Sequence, residues 1–483
     1  MNTDSQTLLP LYVDLDGTLI KSDLLLESFL ELIKRNLLYL LLIPFWLVKG
    51  KANLKHQIAI RSTIRPDLLP YNKPFLQYLE EQRQKGRKLI LISASNQRLV
   101  DEVAAHLGIF DTAIGSDQTT NCSGTRKLAR IDKDSTPFAY AGDNKIDLAV
   151  WEQAQAAITV HTNSSLTAKV EQLTKIEKHF APDNNKVKAY FRALRLHQWL
   201  KNALVFLPLV LAHELNNSAA VSNAVIAFFC FGLCASSVYL LNDLLDLTSD
   251  RQHRSKCKRP FAAGDIALVS GLLLSPALLI CAFTLASFLP WQFTFVLGFY
   301  YLCTGLYSFV LKRIMLVDVI MLAALYTLRI IAGAAAISII PSFWLLAFSM
   351  FLFFSLAVVK RYTELDYLRT TGIAQTEGRG YFAEDLHMMA IFGCASAFLS
   401  VMVFALYINN DDIREQYITP QVLWLICPLL LYTVTRIWLL AARGKIEEDP
   451  IVFALKDRVS QIVTAVCALL LWAANLPWRA MLF

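Results

Sequence analysis

Hydrophobic residues are distributed unevenly along the chain. Residues 1–180 alternate short apolar runs with polar helical stretches, as water-soluble domains do, whereas residues 203–483 contain repeated long apolar runs. A helix needs about 20 apolar residues to cross a bilayer. The pattern therefore predicts a soluble α/β domain with a parallel sheet, followed by an all-α polytopic membrane domain.

Nine apolar segments follow the soluble part, so we expect about nine transmembrane helices. The first segment is short and is expected to begin earlier, near Leu196. The expected spans are residues 203–213, 219–241, 266–288, 291–311, 316–338, 342–359, 388–408, 420–440 and 460–480.

The loops between these spans indicate their orientation. Loops 242–265, 312–315, 360–387 and 441–459 carry nearly all the Lys and Arg, whereas loop 409–419 is acidic. Positively charged loops face the cytoplasm. We therefore expect a multi-pass protein of the bacterial inner membrane with a cytoplasmic N-terminal domain. An odd number of spans leaves the C-terminus outside.

Composition narrows the class of protein further. With 483 residues and 55% hydrophobic content, the chain is too apolar for one soluble domain. The net charge of +7 is concentrated in short loops, which predicts membrane topology and no nucleic-acid partner. The nine Cys residues are scattered without a C-x-x-C pair, so neither a disulfide framework nor a zinc site is expected. We expect no cleavable signal at the N-terminus.

Three short apolar runs in the soluble part have the character of buried strands, and each ends at polar residues. Each run is followed by a helical pattern, which is typical of a parallel α/β sheet with its site at the carboxyl ends of the strands. The runs and their polar residues are Leu8–Val13 with Asp14 and Asp16, Lys88–Ile92 with Ser93, and Phe138–Ala141 with Asp143 and Asp147.

The order of these motifs, Asp-x-Asp-Gly-Thr, then Ser, Lys and Gly-Asp-x-x-x-Asp, resembles the haloacid dehalogenase-like phosphohydrolases. The resemblance implies that Asp14 is the nucleophile that forms an aspartyl-phosphate. It implies that Asp16 is the general acid and base. It also implies that Asp14, Asp143 and Asp147 together bind Mg²⁺.

The same resemblance implies two residues that hold the transferring phosphoryl group, Ser93 and Lys127. The lysine has neighbouring competitors, Arg126 and Lys133. Lys127 fits best because of its place after Gly124.

The stretch of about residues 21–88 is mostly helical in pattern and is placed like the helical cap of these phosphohydrolases. Its segment Leu37–Val48 is very apolar but too short to span a bilayer. Two interpretations stay open, a membrane-docking or interfacial segment and an ordinary buried cap helix. The basic residues that flank the segment are Lys34, Arg35, Lys49, Lys51 and Lys55.

A polar break at residues 181–185 marks the expected domain boundary. We therefore expect a phosphatase-like domain at residues 1–180, a linker or interfacial helix at 181–195, and a transmembrane domain at 196–483.

Acidic residues are concentrated directly after the apolar run 219–241. On one helix, Asp243, Asp246 and Asp250 are spaced i, i+3 and i+7 and share a face, with Asn242 beside them at the membrane edge. Crowded carboxylates need a cation between them, and oxygen ligands suit Mg²⁺. Mg²⁺ held in this way completes its shell with substrate phosphate oxygens.

The pattern Asn-Asp-x-x-Asp-x-x-x-Asp at the end of a membrane helix resembles the first aspartate-rich motif of the UbiA-type intramembrane prenyltransferase superfamily. The continuation to Arg259-Pro-Phe-Ala-Ala-Gly264 resembles its decaprenyl-phosphate phosphoribosyltransferase branch, which uses phosphoribosyl diphosphate as donor. This resemblance covers about residues 190–483. Most of the superfamily has a second Asp-x-x-x-Asp motif after the fourth span, where this chain has only Asp318.

Further polar residues near the expected cytoplasmic ends of the spans are candidates for binding phosphate. Arg329 lies eleven residues after Asp318 and therefore on the same helical face, inside a span where an arginine is a functional candidate by default. The full set of candidates is Lys201, Asn202, Lys256, Arg259, Tyr307, Lys312, Arg329, Lys360 and Arg361.

The resemblances together imply a bifunctional Mg²⁺-dependent enzyme. Its membrane domain would transfer 5-phosphoribose from phosphoribosyl diphosphate to a polyprenyl phosphate, and its N-terminal domain would remove the 5-phosphate. One alternative is a prenyltransferase that acts on an aromatic or quinone acceptor and carries an unrelated phosphatase. Another is a transporter or scaffold that carries a phosphatase. The sequence leaves the oligomeric state open, a homo-oligomer included.

Overall fold

The chain divides into two compact units in the computed structural model. The first comprises residues 1–194 and 239–275, and the second comprises residues 195–238 and 276–483. The segment that carries the acidic motif therefore belongs to the same unit as the soluble domain. The residues that the structure describes are 8–131, 137–182, 185–372, 380–410, 415–446 and 449–476.

A six-stranded sheet forms the centre of the first unit, which confirms the predicted parallel α/β fold. The strand order is β3-β2-β1-β4-β5-β6, and every neighbouring pair is parallel. The strands are β1 (Leu11–Val13), β2 (Leu89–Asn96), β3 (Thr112–Ser116), β4 (Ala139–Gly142), β5 (Ala156–Val160) and β6 (Lys175–Phe180).

Side chains alternate across the sheet and build a hydrophobic layer on each face. In β1, Leu11 and Val13 join one layer, and Tyr12 between them joins the other. Both layers are covered by helices, so the central strands are buried on both faces. The helices of this part are α1 (Leu24–Arg35), α2 (Ile43–Val48), α3 (Lys51–Ala59), α4 (Lys73–Gln84), α5 (Gln97–Leu107), α6 (Thr125–Ile131), α7 (Leu148–Trp151), α8 (Ser164–Leu173) and α9 (Lys186–Leu194).

The apolar cap segment does not fold into the core. Leu37–Leu41 forms a 3-10 helix and α2 follows it, and neither contains a buried residue. The interpretation of Leu37–Val48 as a buried cap helix is therefore wrong. Twelve residues with apolar side chains in nearly every position cannot all face one core, because a helix buries one stripe.

Among the described residues after β6, the regular elements are all helical, as predicted. Helix α12 belongs to the first unit, and α11 and α13 contribute residues to both units. The helices are α10 (Leu207–Leu211), α11 (Ser218–Leu245), α12 (Leu247–Gln252), α13 (Leu268–Ala286), α14 (Trp291–Phe309), α15 (Val317–Ala336), α16 (Phe343–Thr371), α17 (Leu386–Ile408), α18 (Ile426–Ala442), α19 (Pro450–Lys456) and α20 (Arg458–Ala473).

Within the described ranges, six helices are long and apolar enough to cross a membrane. The protein is thus a multi-pass membrane protein, but the predicted count of nine spans is not confirmed. The six helical stretches are Ser218–Leu245, Leu268–Ala286, Val317–Ala336, Phe343–Thr371, Ala383–Ile408 and Pro420–Ala442.

The three other expected spans form shorter or less apolar helices. The expected span 203–213 is a 3-10 helix, Leu196–Phe206, followed by the five-residue α10. The fourth expected span is α14, whose 19 residues include Gln292 and three tyrosines. The last is the 16-residue α20, and residues 477–480 of that expected span lie outside the described residues.

Close approach of two backbones holds α15 against the 3-10 helix Leu196–Phe206. Gly333 lies in the middle of this contact, and a Cβ added there would overlap the carbonyl oxygen of Val205. Neither backbone can give way as a flexible side chain would. Glycine at position 333 is therefore a packing requirement, the structural role expected of small residues between membrane helices.

Replacing Gly333 with alanine is expected to lower the stability of the membrane domain by about 1–3 kcal/mol, the usual cost of overpacking. Gly305→Ala is the matched control, because a Cβ at Gly305 in α14 meets no atom within 4 Å. Thermal unfolding of both variants in detergent measures the difference. Equal unfolding midpoints for Gly333→Ala and Gly305→Ala would contradict the close approach.

Candidate active sites

The first acidic cluster lies at the carboxyl end of the central strands. Asp14 follows β1 directly, and its Oδ1 accepts a hydrogen bond of 2.8 Å from Leu15 N. Gly17 then turns the chain with φ of +79°, and a Cβ at that position would collide with the Asp143 carboxylate. Glycine is thus needed both for the left-handed turn and for the approach of the two motifs.

Asp14, Asp143 and Asp147 offer carboxylate oxygens that all lie within 4.8 Å of one another. Burial raises the pKa of Asp14, and the Lys127 ammonium opposes this shift. Burial and the neighbouring Asp147 carboxylate raise the pKa of Asp143 to about 7. Crowded carboxylates with raised pKa values gain from a bound cation, and three oxygen donors fit Mg²⁺.

Lys127 reaches this cluster from α6. Its Nζ lies 3.0 Å from Asp14 Oδ2 and 3.5 Å from Asp147 Oδ1, and it donates a 2.8 Å hydrogen bond to the Tyr140 hydroxyl. Its neighbour Arg126 is exposed. Lys133, the other competitor, lies outside the described residues. The structure therefore brings Lys127 to the place where a phosphoryl group on Asp14 would need a cation.

Asp16 is held by hydrogen bonds on both carboxylate oxygens. Its Oδ2 accepts from Ser93 Oγ at 2.9 Å and from Ser95 Oγ at 2.7 Å. Its Oδ1 accepts from Leu24 N, the first amide of α1, at 2.8 Å. Sequence reasoning missed Ser95, although its i, i+2 spacing from Ser93 puts both hydroxyls on one side of β2.

The second acidic motif straddles a break between two helices. Asn242 and Asp243 lie in the last turn of α11, and Asp246 is the residue between α11 and α12. Asp246 departs from helical geometry with φ of −99° and ψ of 16°. The single helix expected from the spacing is therefore interrupted, and Asp250 follows in α12.

Arg259 joins two carboxylates of this motif. Its Nη1 lies 3.2 Å from Asp243 Oδ1 and 2.7 Å from Asp250 Oδ2. Both aspartates are buried, and burial raises the pKa of Asp250 while the Arg259 guanidinium opposes the shift. Asp246 is half-buried, and Lys256 is exposed in a 3-10 helix, Lys256–Lys258.

The motif differs from the phosphatase-like cluster in its capacity for metal. Across the described ranges, one group of three potential metal ligands has its donor atoms all within 4.8 Å of one another. This group is Asp14, Asp143 and Asp147. Asp243, Asp246 and Asp250 do not form such a group. The more widely spaced carboxylates of the second motif suit Mg²⁺ that arrives with a substrate, because Mg²⁺ is commonly held by one or two carboxylates plus phosphate oxygens.

Helix α1 ties the acidic motif to the phosphatase-like domain. Arg251 forms two hydrogen bonds with the Glu27 carboxylate, 2.8 Å and 2.7 Å long, and the two side chains are each only 7% exposed. Lys34 on the same helix lies 3.6 Å from Asp246 Oδ1. Sequence reasoning missed Glu27, since a contact between residues 224 positions apart leaves no local signal.

In the second unit, cations gather around Asp449. Its Oδ2 lies 2.6 Å from Lys201 Nζ and 3.5 Å from Lys360 Nζ, and the Tyr326 hydroxyl approaches at 3.3 Å. Burial alone would raise the pKa of Asp449, but the Lys360 and Lys201 ammonium groups hold it well below its usual value. Asp449 is therefore an anion that sets the positions of two predicted phosphate-binding lysines.

Arg329 is buried beside this group. It donates from Nε to Asn202 Oδ1 at 3.1 Å, from Nη2 to the Tyr300 hydroxyl at 2.8 Å, and from Nη1 to Leu325 O at 2.6 Å. The Asn202 Nδ2 atom is also buried and has no hydrogen-bond partner among the described residues. A buried donor without a partner is costly unless a ligand supplies the acceptor.

Arg361 belongs to a separate buried network. Its Nε lies 2.5 Å from Asp318 Oδ2, its Nη1 lies 2.7 Å from Glu364, and its Nη2 donates to the Tyr307 hydroxyl at 3.2 Å. The Tyr381 hydroxyl also contacts Asp318. Asp318 and Arg329, which are expected on one face of α15, therefore belong to two different clusters. Asp318 pairs with Arg361, and Arg329 binds Asn202.

The position of Lys312 gives less support to its predicted role in binding phosphate. Lys312 is half-buried in a 3-10 helix, Leu311–Arg313, after α14. Sequence reasoning missed Tyr326, whose hydroxyl approaches Asp449, and Tyr300, whose hydroxyl accepts a hydrogen bond from Arg329. Aromatic residues inside apolar helices carry no signal that separates packing from function.

Comparison with known proteins identifies both parts. The UbiA prenyltransferase family matches residues 203–377, and haloacid dehalogenase-like hydrolases match residues 44–151. A UbiA homologue from Archaeoglobus fulgidus solved with GPP and Mg²⁺ has a TM-score of 0.47 and 17% identity, over 59% of this chain and 99% of that one.

Two relatives are informative. The uncharacterised protein y4nM of Sinorhizobium fredii is 37% identical over 466 residues, which are 95% of this chain and 90% of that one. Decaprenyl-phosphate phosphoribosyltransferase of Mycolicibacterium smegmatis is 28% identical over 290 residues, which are 58% of this chain and 91% of that one. The chain therefore belongs to the UbiA prenyltransferase family and carries a haloacid dehalogenase-like domain at its N-terminus.

Proposed function

We propose that the protein is a bifunctional membrane enzyme. Its membrane domain transfers 5-phosphoribose from phosphoribosyl diphosphate to a polyprenyl phosphate, and its N-terminal domain removes the 5-phosphate from the product. The relative from M. smegmatis, a decaprenyl-phosphate phosphoribosyltransferase, supports the first activity, since the match covers nearly all of that protein. The phosphatase-like cluster around Asp14 supports the second.

The distribution of charge in the membrane domain is the observation that carries the choice of donor. Lys201, Arg329 and Lys360 bring three cations into buried or half-buried positions. Asp318, which stands where the family has its second acidic motif, is fully buried against Arg361. One acidic motif with several cations suits a phosphorylated sugar diphosphate better than a prenyl diphosphate held between two acidic motifs.

The transfer step needs positioning more than a strong base. An oxygen of the lipid phosphate attacks C1 of the ribose, the bond from C1 to the diphosphate oxygen breaks, and diphosphate leaves with the electron pair. Mg²⁺ held by Asn242, Asp243, Asp246 and Asp250 would neutralise the leaving group when bound. Lys201, Asn202, Lys256, Arg259, Lys312, Arg329, Lys360 and Arg361 are the candidates that bind and orient the donor's phosphate groups.

The dephosphorylation step follows from the arrangement around Asp14. The Asp14 carboxylate attacks phosphorus, the bond to the 5-oxygen breaks, and Asp16 donates a proton to that oxygen. Water then attacks the aspartyl-phosphate, Asp16 accepts its proton, and phosphate leaves. Lys127 and Ser93 stabilise the charge on the transferring group. Asp14, Asp143 and Asp147 would hold a Mg²⁺ ion, which would supply positive charge beside the phosphate when bound.

Placing both activities on one chain gives the phosphatase a high effective concentration at the membrane. The product of transfer carries a phosphomonoester at C5, the kind of group an aspartate-nucleophile phosphatase hydrolyses. Removing the 5-phosphate consumes the product of transfer and so shifts the equilibrium of the transfer step towards product.

Asp246→Asn is expected to reduce phosphoribosyl transfer by more than about 100-fold, because even outer partners of a metal cost about 10–100-fold when lost. Asp265→Asn is the matched control. Both side chains are 29% exposed, and both form ion pairs, Asp246 with Lys34 and Asp265 with Arg192. Transfer is measured with labelled phosphoribosyl diphosphate at several Mg²⁺ concentrations.

Lys34→Met separates loss of the metal ligand from loss of the ion pair, and it should retain transfer. Near-normal turnover of Asp246→Asn at every Mg²⁺ concentration would rule out the metal role.

Lys127→Met is expected to lower hydrolysis of p-nitrophenyl phosphate by about 100-fold or more, since the loss removes a charge beside the transferring phosphoryl group. Arg126→Met is the control, because this neighbour on α6 is exposed. Steady-state kinetics of the full-length protein give both values. Equal losses for the two variants would show that Lys127 has no special role.

The coupling of the two activities is tested with wild type and Asp14→Asn, each given phosphoribosyl diphosphate and polyprenyl phosphate. Wild type should accumulate lipid-linked ribose without the 5-phosphate, and the variant should stop at the 5-phosphate form. Mass spectrometry of the extracted lipids distinguishes the two products. If wild type also stops at the 5-phosphate form, the N-terminal domain does not act on the product of the transfer step.

A further inference from the structure

The cap segment Leu37–Val48 presents most of its apolar side chains to solvent. Leu41, Phe45 and Val48 are 68%, 69% and 88% exposed, and no residue of the 3-10 helix Leu37–Leu41 or of α2 is buried. Single exposed apolar residues are ordinary on soluble proteins, but a contiguous exposed apolar patch marks an interaction surface. The segment therefore needs a partner that is itself apolar.

Basic residues border this apolar patch on both sides. Arg35 ends α1 just before it, and Lys49 and Lys51 follow it, both of them exposed. Apolar side chains flanked by cations match a bilayer surface with anionic headgroups, where the side chains enter the acyl boundary and the cations meet phosphate. Phe45 and Trp46 add aromatic rings, which favour the membrane interface.

Contacts within the first unit bring the start of the patch close to the end of the apolar helix α11. The Lys34 Nζ atom lies 3.6 Å from Asp246 Oδ1, and Asp246 directly follows the apolar helix α11. Three residues span at most about 11 Å, so Leu37 begins within that distance of the Lys34 Cα. The buried Glu27–Arg251 ion pair is a second contact between α1 and the chain that follows α11.

We propose that Leu37–Val48 inserts into the interfacial layer of an anionic lipid bilayer and anchors the cap there. Leu41, Phe45 and Val48 enter the acyl boundary, while Lys49 and Lys51 contact the headgroup phosphates. Insertion is independent of what the phosphatase hydrolyses, so failure of the proposed dephosphorylation leaves it standing.

The test places the photoreactive residue p-benzoylphenylalanine at position 45 of the full-length protein in lipid nanodiscs. The control carries the same residue at position 173, because Leu173 at the end of α8 is also exposed. Nanodiscs of phosphatidylcholine alone and of phosphatidylcholine with phosphatidylglycerol are irradiated, and lipid adducts are measured by mass spectrometry. Position 45 is expected to give at least about tenfold more lipid adduct than position 173.

A second variant, Lys49→Glu with Lys51→Glu, tests the role of charge. It should lower the adduct yield at position 45 in the anionic nanodiscs and leave the yield in neutral nanodiscs unchanged. Adduct yields at positions 45 and 173 that are equal in both bilayers would overturn the proposal. A crosslink to a second protein chain in place of lipid would also overturn it and assign the patch to a contact between copies.

Discussion

A buried ion pair between Glu27 and Arg251 joins two stretches of chain that lie 224 positions apart. Both side chains are only 7% exposed, and removing one partner of such a pair typically costs about 3–5 kcal/mol because the other charge stays buried. The pair links helix α1 to the segment 239–275, which belongs to the same compact unit as the phosphatase-like domain.

Helix α1 carries this connection to both acidic clusters. Its first amide binds Asp16, Glu27 holds Arg251 one turn later, and Lys34 near its end reaches Asp246. One helix thus contacts Asp16 of the phosphatase-like cluster and Asp246 of the second acidic motif. The two acidic clusters therefore share a structural element within the first unit.

Buried charges in the membrane domain are paired, because an unpaired charge in an apolar environment is costly. Asp449 holds Lys201 and Lys360, and Asp318 holds Arg361. The first group also contains Asn202, whose buried amide nitrogen has no partner among the described residues. Arg361 is only 1% exposed, and its guanidinium contacts Asp318, Glu364 and the Tyr307 hydroxyl. The group around Asp449 contains two of the lysines that we propose to bind the donor's phosphates.

The sequence predicted those features whose signal is local. Asp14, Asp16 and Asp143 follow strands directly, so their meeting at one edge of the sheet could be predicted from order alone. Asp449 and Lys201 lie 248 positions apart, and no periodicity relates them. The helical period correctly put Asp318 and Arg329 on one face of α15 but could not give their different partners. The tyrosines of α14 and the short length of α20 explain why these two expected spans are not among the six long apolar helices.

Donor choice is the most direct test of the account as a whole. The purified protein is incubated with polyprenyl phosphate, Mg²⁺ and either labelled phosphoribosyl diphosphate or a labelled prenyl diphosphate with an aromatic acceptor, and the lipid products are analysed by mass spectrometry. Transfer of ribose to the lipid, without prenyl transfer, is the result the account predicts. Prenyl transfer without ribosyl transfer would contradict it.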